Sequence, residues 1–368
     1  MNGINQTALL KALGNLFDTK VQSADYTVEE LQGGTLGDVV KLSGEAQTAT
    51  GTKPFTIVLK SQKKWERAGD PGSWRREYDL YQSNFGNIFT DTLRRPQCYL
   101  AEMNGDKIEL WMEYVDGKSG DKLDLKALEF AAAEWGRFQG RLYNQSEKLT
   151  GIRCMSEPDW LRKNFEQWHK RTYSYEFLIS EKCRLPGFLK QLLKDRKIRL
   201  YDGKSFEYGC LRSEACDIPA HLKRMLMELD EHKDAVFKRI KELPVVLCHR
   251  DFWTENIFVS NGKIRLIDWD CAGWGFLGED IASLVYDEIE TENLYDYFQT
   301  LVPAYVHAVS EYINIPQNIN RYITDLILIV FSYRAVQEYM FTQDPEVKKE
   351  QIKRLQAVYE LRELDENY

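Results

Sequence analysis

The chain has 368 residues, of which 43% are hydrophobic and 29% charged, the balance of an ordinary globular protein. Its formal net charge of −8 argues against a nucleic-acid binder, because phosphate backbones select basic surfaces. Seven cysteines without a CxxC pair predict reduced thiols and a cytoplasmic protein. The N-terminal segment has the pattern of an amphipathic helix, and the apolar run at 326–331 is too short to cross a bilayer, so we expect no membrane partner.

The first third of the chain has the pattern of short strands broken by turns. The glycine-rich segment Gly33-Gly34-Thr35-Leu36-Gly37 separates two of them, and the strand PFTIVLK ends in Lys60. Helical spacing follows over 73–85, with Glu77 inside it. A hairpin is predicted around Asn104-Gly105, a strong turn signal.

The remainder of the chain is predicted to be mainly helical. The order of elements predicts an α+β fold with two lobes: a β-rich N-lobe with one main helix over 1–112, a hinge over 113–117, and a mainly helical C-lobe over 118–368. One small hairpin is predicted at 198–208, turned by Asp202-Gly203. Helices are expected at 125–143, 158–180, 219–242, 279–290, 294–313, 317–342 and 345–364.

The segment 246–285 carries the most informative chemistry. An apolar strand ends in His249-Arg250-Asp251, with Asn256 five residues after the aspartate, and a second strand ends in Asp268. We expect the two carboxylates and the amide to converge from the ends of adjacent strands. Phosphoryl transfer needs such a set: one aspartate orients the attacking hydroxyl, while the other and the asparagine hold Mg²⁺ against the phosphates. Each residue alone could be structural, as a strand cap or a core histidine.

HRDFWTEN followed by LIDWD resembles the aminoglycoside phosphotransferase and choline kinase superfamily, which has the protein-kinase-like fold. The resemblance covers both lobes in order and implies an Mg²⁺-dependent kinase that uses ATP or GTP. It implies that Asp251 is the catalytic base and that Asn256 and Asp268 bind Mg²⁺. It also implies that Lys60 contacts the nucleotide phosphates and that Glu77 holds Lys60. The alternatives are a solvated lysine at a strand end and a surface helix charge.

Two further segments are assigned to the nucleotide by the same resemblance. GGTLGDVVKL resembles the phosphate loop, with Gly33, Gly34 and Gly37 allowing close approach of the backbone to phosphate. An ordinary hairpin turn is the alternative for this loop. LWMEYVDG resembles the hinge strand, so we expect adenine to bind main-chain groups of Glu113, Tyr114 and Val115.

The spacing around the second aspartate indicates a small acceptor. Only twelve residues separate Asp268 from Asp280, and no segment follows that could cradle a peptide, as the longer activation segment of a protein kinase does. The mainly helical insertion at 118–245 is where we expect substrate choice to lie. A protein-directed kinase and a nucleotide-binding pseudokinase scaffold are the alternatives.

Aromatic and acidic side chains near the motif predict a hydroxylated acceptor that is also cationic, such as an aminoglycoside or aminoalcohol. Aromatic faces together with carboxylates suit an amine or quaternary ammonium. The alternative is that the tryptophans pack in the core and that the acids form a solvated helix face. The residues concerned are Trp253, Trp269, Trp274, Glu255, Asp270, Glu279, Asp287 and Glu288.

Overall fold

A computed structural model of the chain describes residues 4–31, 37–67, 69–149, 152, 154–169, 174–287 and 289–366. The chain forms two compact units, each assembled from several stretches of sequence. The first contains residues 1–127, 145–156 and 254–272, and the second contains 128–144, 157–253 and 273–368. The lobe bounds expected from the sequence, with a hinge at 113–117, stay a prediction.

The first unit is built mainly from antiparallel strands. Its strands are β1 (Val21–Glu30), β2 (Gly37–Thr48), β3 (Gly51–Lys63), β4 (Leu93–Arg94), β5 (Cys98–Asn104), β6 (Lys107–Glu113), β8 (Ile257–Ser260) and β9 (Lys263–Leu266), and its helices are α1 (Gln6–Phe17) and α2 (Ser73–Gln82). Five of the strands form an antiparallel sheet with the order β1-β2-β3-β6-β5. A short parallel pair joins β4 to β9, which forms a hairpin with β8.

Strand alternation distributes the β3 side chains between two cores. Ile57 and Leu59 pack with buried residues of α1, whereas Val58 packs with Trp74 of α2 on the opposite face. This is the period of two expected of a strand that is covered on both sides. Lys60, two residues after Val58, therefore lies on the α2 side of the sheet.

The second unit is mainly helical, with a two-stranded sheet in which Gly273 pairs with Cys248 and Phe276 pairs with Val245. No helix among the described residues has both the length and the apolar character needed to cross a membrane. The bounds are α3 (Leu125–Tyr143), whose first three residues belong to the first unit, α4 (Trp160–His169), α5 (Tyr175–Ile179), α6 (Gly187–Lys194), α7 (Phe206–Leu211), α8 (Ala220–Glu231), α9 (Lys233–Ile240), β7 (Val245–Cys248), β10 (Gly273–Phe276), α10 (Glu279–Tyr286), α11 (Leu294–Ser310), α12 (Ile319–Phe341) and α13 (Pro345–Glu366).

Four sequence expectations about these elements are wrong. The helix expected at 158–180 is not continuous, because the Ser174 hydroxyl accepts the Phe177 N–H and caps a separate helix, α5. The hairpin at 198–208 is absent among the described residues, and α7 begins there instead, because the Ser205 hydroxyl accepts the Tyr208 N–H and caps a helix. The single helix expected at 219–242 is two helices, α8 and α9, which meet at His232. The strands before Asp251 and Asp268 are not adjacent, since β7 pairs with β10 and β9 pairs with β4 and β8.

Candidate active site

Lys60 lies at the centre of a partly buried ion cluster in the first unit. Its ammonium nitrogen is 2.6 Å from Glu77 Oε2 and 2.7 Å from Asp268 Oδ1. Glu77 projects from α2 and its side chain is 2% exposed, whereas the Asp268 side chain is 35% exposed. The structure thus brings three of the residues predicted from the sequence into direct contact.

The charge of Lys60 is stabilised by its partners. Burial on its own would lower the pKa of Lys60, but the carboxylates of Asp268, Glu77 and Asp270 outweigh it and raise this pKa well above its ordinary value. Lys60 is therefore a fixed positive charge at neutral pH. A fixed ammonium of this kind can bind the oxygens of a phosphate group.

The backbone after β9 is held against α2. Glu77 Oε1 accepts the main-chain N–H of Trp269 at 3.4 Å, so one carboxylate contacts both Lys60 and the residue that follows Asp268. Asp268 has φ 63°, in the left-handed region that aspartate tolerates better than most residues. The fully buried Trp269 ring packs edge-to-face on Phe85 and Phe89. Trp269 is therefore a core residue and is not available to a substrate.

The β8–β9 hairpin places Asn256 and Asp268 at the same end. Ile257 pairs with Leu266, and the Asn256 carbonyl accepts the N–H of Ile267 at 3.1 Å, one residue before Asp268. Amide and carboxylate oxygens are the donors that Mg²⁺ prefers, and Mg²⁺ needs only one or two carboxylates when phosphates complete its coordination. The residues present therefore fit a magnesium ion shared with a nucleotide.

Arg76 supports this end of the site and was not identified from the sequence. Its side chain is 2% exposed and forms a bidentate pair with Asp70 at 2.6–2.7 Å. It also donates to the main-chain oxygens of Asp270 and Cys154. It thereby fixes the backbone two residues after Asp268. Nothing in the sequence marks it beyond its position one residue before Glu77 on an amphipathic helix.

Asp251 belongs to the second unit, where the preceding backbone is anchored by Asp280. The Asp280 carboxylate accepts the main-chain N–H groups of His249 at 2.9 Å and Arg250 at 2.8 Å. The buried side chains of Trp135 and Gln139 also donate to it. Trp135 and Gln139, which precede Asp280 by 145 and 141 residues, were not identified from the sequence.

The segment predicted to be the hinge begins at the end of β6. Glu113 is the last residue of that strand, and its carboxylate pairs with Arg94 at 2.6 and 2.8 Å and accepts the Gln97 N–H. Burial acts to raise the pKa of Glu113, but these hydrogen bonds lower it below its ordinary value. Tyr114 and Val115 follow, beyond the register that joins β6 to β3.

Of the glycines assigned to the phosphate loop, Gly33 and Gly34 lie outside the described residues. Gly37 is the first residue of β2 and pairs with Gln62 of β3. A Cβ atom at this position would overlap the carbonyl oxygen of Ser61 and lie 3.0 Å from Gln62 Cβ. Packing between two strands is thus sufficient to require glycine at 37.

Most of the acids expected to bind a cationic substrate already have arginine partners. Glu279 pairs with Arg250 at 3.3 Å, and both side chains are at most 5% exposed. Asp270 pairs with Arg67 at 3.5 Å, and Asp287 pairs with Arg334 at 2.5 Å. Glu288 lies outside the described residues, and Glu255 is exposed. These paired acids therefore give no support for a cationic acceptor.

Solved structures of small-molecule kinases share this architecture. A choline kinase from Cryptosporidium parvum Iowa II is 14% identical, with a TM-score of 0.53 over 93% of this chain and 91% of that one. A Plasmodium vivax ethanolamine kinase is 15% identical, with a TM-score of 0.51 over 91% and 81%. An aminoglycoside phosphotransferase from Alicyclobacillus acidocaldarius is 14% identical, with a TM-score of 0.50 over 100% and 98%. The protein therefore has the bilobal, protein-kinase-like fold of the choline kinases and aminoglycoside phosphotransferases.

The family follows from the sequence itself. Residues 93–309, more than half of the chain, match the phosphotransferase enzyme family APH, and the chain belongs to that family. The matched residues include Asp251, Asn256 and Asp268 but not Lys60 or Glu77. No curated protein sequence matches the chain significantly. The resemblance inferred from HRDFWTEN and LIDWD is confirmed, and the protein is a member of a family of phosphotransferase enzymes.

Proposed function

We propose that the protein transfers the γ-phosphoryl group of ATP or GTP to a hydroxyl of a small molecule in an Mg²⁺-dependent reaction. The observation that carries the proposal is the ion cluster in which Lys60 contacts both Glu77 and Asp268. A lysine, its partner glutamate and a metal-binding aspartate are the parts that a kinase uses to hold nucleotide phosphates. The family match, which covers Asp268 but neither Lys60 nor Glu77, supports the same reaction class.

In this proposal the residues of the first unit bind the nucleotide. Lys60 binds phosphate oxygens, while Glu77 keeps the ammonium in place. Main-chain groups of the segment 113–115 bind adenine, and the glycines of the loop approach the phosphates. Asn256 and Asp268 would hold Mg²⁺, which when bound neutralises the charge that develops on the phosphates.

Asp251 is the proposed catalytic base. Its carboxylate accepts a hydrogen bond from the acceptor hydroxyl, orients that oxygen toward the phosphorus and takes the proton as the new bond forms. The anchoring of His249 and Arg250 by Asp280 limits the movement of the backbone that carries this carboxylate. Positioning and charge stabilisation provide most of the catalysis in reactions of this kind.

The acceptor is proposed to be a hydroxylated small molecule whose choice depends on the insertion at 118–245. The pairing of Asp270, Glu279 and Asp287 with arginines removes the main argument for a cationic acceptor. Neutral and anionic alcohols therefore belong in the test beside aminoglycosides and aminoalcohols. All seven cysteines are unbridged, and a cytoplasmic location is proposed on that basis.

The test is a screen for Mg²⁺-dependent transfer of phosphate from ATP and GTP to a panel of alcohols, with the Asp251→Asn variant as the matched control. Asparagine has the shape of aspartate but cannot take the proton, so the rate should fall about 10²- to 10⁴-fold while nucleotide affinity is retained. Near-native turnover in this variant would refute the assignment of the base. Transfer to protein substrates but to no small alcohol would refute the acceptor class.

A further inference from the structure

Arg250 has a backbone conformation that arginine rarely adopts. Its φ is 63°, in the left-handed region that favours glycine, and it directly precedes the proposed base, Asp251. The Arg250 N–H donates to Asp280 Oδ1 and the His249 N–H to Asp280 Oδ2. A strained conformation of this kind persists only where the surrounding contacts determine it.

The side chain of Arg250 is almost completely enclosed. It is 1% exposed, and its Nε lies 3.3 Å from Glu279 Oε2. One terminal nitrogen donates to the main-chain oxygens of Trp274 in β10 and Glu157, the latter at 3.3 Å. The guanidinium also lies 4.5 Å from the ring centre of Trp160, the first residue of α4. One planar group therefore joins α10, β10 and the start of α4.

We propose that Arg250 is a positioning residue for phosphoryl transfer, holding the first turn of the insertion helix α4 in register with the backbone that carries Asp251. The inference rests on the proposed function, because it assumes that Asp251 is the base and that the insertion selects the acceptor. A guanidinium suits this role, since its rigid fork of donors can serve several acceptors while its face stacks on an aromatic ring. The ammonium of a lysine has neither property.

Three variants separate the role of the side chain from that of the backbone. Arg250→Gly relaxes the φ of 63° and removes the guanidinium, Arg250→Lys keeps a positive charge near Glu279, and Glu157→Ala is the matched control. Glu157→Ala should leave turnover unchanged, because the hydrogen bond uses the main-chain oxygen, which alanine retains. If the arginine mattered only through its strained backbone, the glycine variant would be fully active.

We expect Arg250→Gly to lower kcat about 10- to 100-fold, in line with the loss caused by misplacing reacting groups by about 1 Å. The acceptor KM should rise, while the Kd for Mg·ATP, measured by calorimetry, stays within about two-fold of wild type. Arg250→Lys should recover part of kcat. A wild-type kcat and acceptor KM in the glycine variant would overturn the proposal, as would an equal loss of nucleotide affinity, which would indicate a general structural defect.

A double variant provides a second test of the proposal if the glycine variant folds poorly. Removing Arg250 leaves the buried Glu279 carboxylate without its counter-charge, so the double variant Arg250→Gly/Glu279→Gln removes both charges. Glutamine retains the oxygen that accepts the Phe276 N–H. The same kcat loss in the folded double variant supports the proposal, and wild-type kinetics there overturn it. A wild-type protein that transferred phosphate to no acceptor would refute the proposed function itself. An active wild-type protein with an equally active Arg250 variant would refute only the positioning role of Arg250.

Discussion

Asp280 is a fully buried carboxylate subject to opposing influences. Burial raises its pKa to about 6, against the hydrogen bonds from the main-chain N–H groups of Arg250 and His249, which lower it. The nearby Glu279 adds to the rise and the indole of Trp135 opposes it. The group that anchors the proposed catalytic backbone thus titrates close to physiological pH.

This environment predicts a specific pH dependence of stability. Since the folded pKa of Asp280 lies above the unfolded value of 3.8, its stabilising contribution is greatest below pH 3.8 and is lost as pH rises toward 6. Replacing Asp280 by asparagine removes this titration. On lowering the pH from 7 to 4.5, we expect the free energy of unfolding of wild type to gain about 2 kcal/mol relative to Asp280→Asn.

Urea denaturation of both proteins at several pH values measures this difference. The contributions of the other titrating groups to the free energy of unfolding are shared by the two proteins and cancel. The opposite sign, with the variant gaining on wild type in acid, would mean that the hydrogen bonds outweigh burial. The same variant should also lose turnover, because an amide has one acceptor oxygen where the two main-chain N–H groups use two carboxylate oxygens.

The prediction of individual residues was strongest where chemistry follows a local pattern. Lys60, Glu77 and Asp268 were named from short motifs, and the structure brings them together. The partners of the surrounding acids could not be foreseen, because Arg67 lies about 200 residues from Asp270 in sequence. Composition gives the number of charges but not which of them neutralise one another.

At the level of elements, the pairing of β2 with β3 places Lys60. Val39 of β2 lies opposite Lys60 of β3, and Gly37 lies opposite Gln62 at the end of the paired segment. Because a Cβ at 37 would overlap the Ser61 carbonyl oxygen, the two strands can come this close only with glycine there. The position of the lysine thus depends on a residue without a side chain.

We therefore expect Gly37→Ala to destabilise the protein by about 1–3 kcal/mol, the range for overpacked sites, since the obstacle is backbone rather than a flexible side chain. Gly187→Ala is the matched control, because Gly187 opens α6 and no atom lies within 4 Å of an added Cβ. Apparent melting temperatures and urea midpoints measure both. Equal stability of Gly37→Ala and wild type would show that β2 is free to move away from β3.

The bounds of the helices with strong periodicity were predicted to within a few residues, and both ends of α3 were predicted correctly. The segment 198–208 was wrong because alternating residues and Asp202-Gly203 resemble a hairpin. Gly203 does have a positive φ of 66°, so the turn is real, but Ser205 then caps a helix. The pairing of β7 with β10 depends on contacts about 28 residues apart, which local patterns do not encode.

At the scale of the whole molecule, both units contain part of the segment 246–272. Asp251 belongs to the second unit, and Asn256 and Asp268 belong to the first. The chain passes from one to the other at Thr254. The residues of the motif identified from the sequence are therefore divided between the two units.

Nucleotide binding should stabilise the protein by mass action. With Mg·ATP at about 100 times its Kd, the folded state gains about 2.7 kcal/mol, so the apparent melting temperature should rise by a few degrees. Asp268→Ala should abolish the Mg²⁺-dependent part of this rise, because it removes the carboxylate proposed to hold the ion. Differential scanning calorimetry with ATP, with and without Mg²⁺, measures it. An unchanged Mg²⁺-dependent shift in the variant would show that Asp268 is structural.

The separation of 208 residues between Lys60 and Asp268 has a consequence for folding during synthesis. At about 5–20 residues per second, a ribosome needs about 10–40 seconds to make the intervening chain. Throughout that time Glu77 has been made, but Asp268, the other carboxylate partner of Lys60, has not. Phe85 and Phe89 have also been made, but Trp269, on which their rings pack, has not. The folded contacts of Lys60, Phe85 and Phe89 are therefore completed only after residue 269 has emerged, and until then these side chains are open to non-native association.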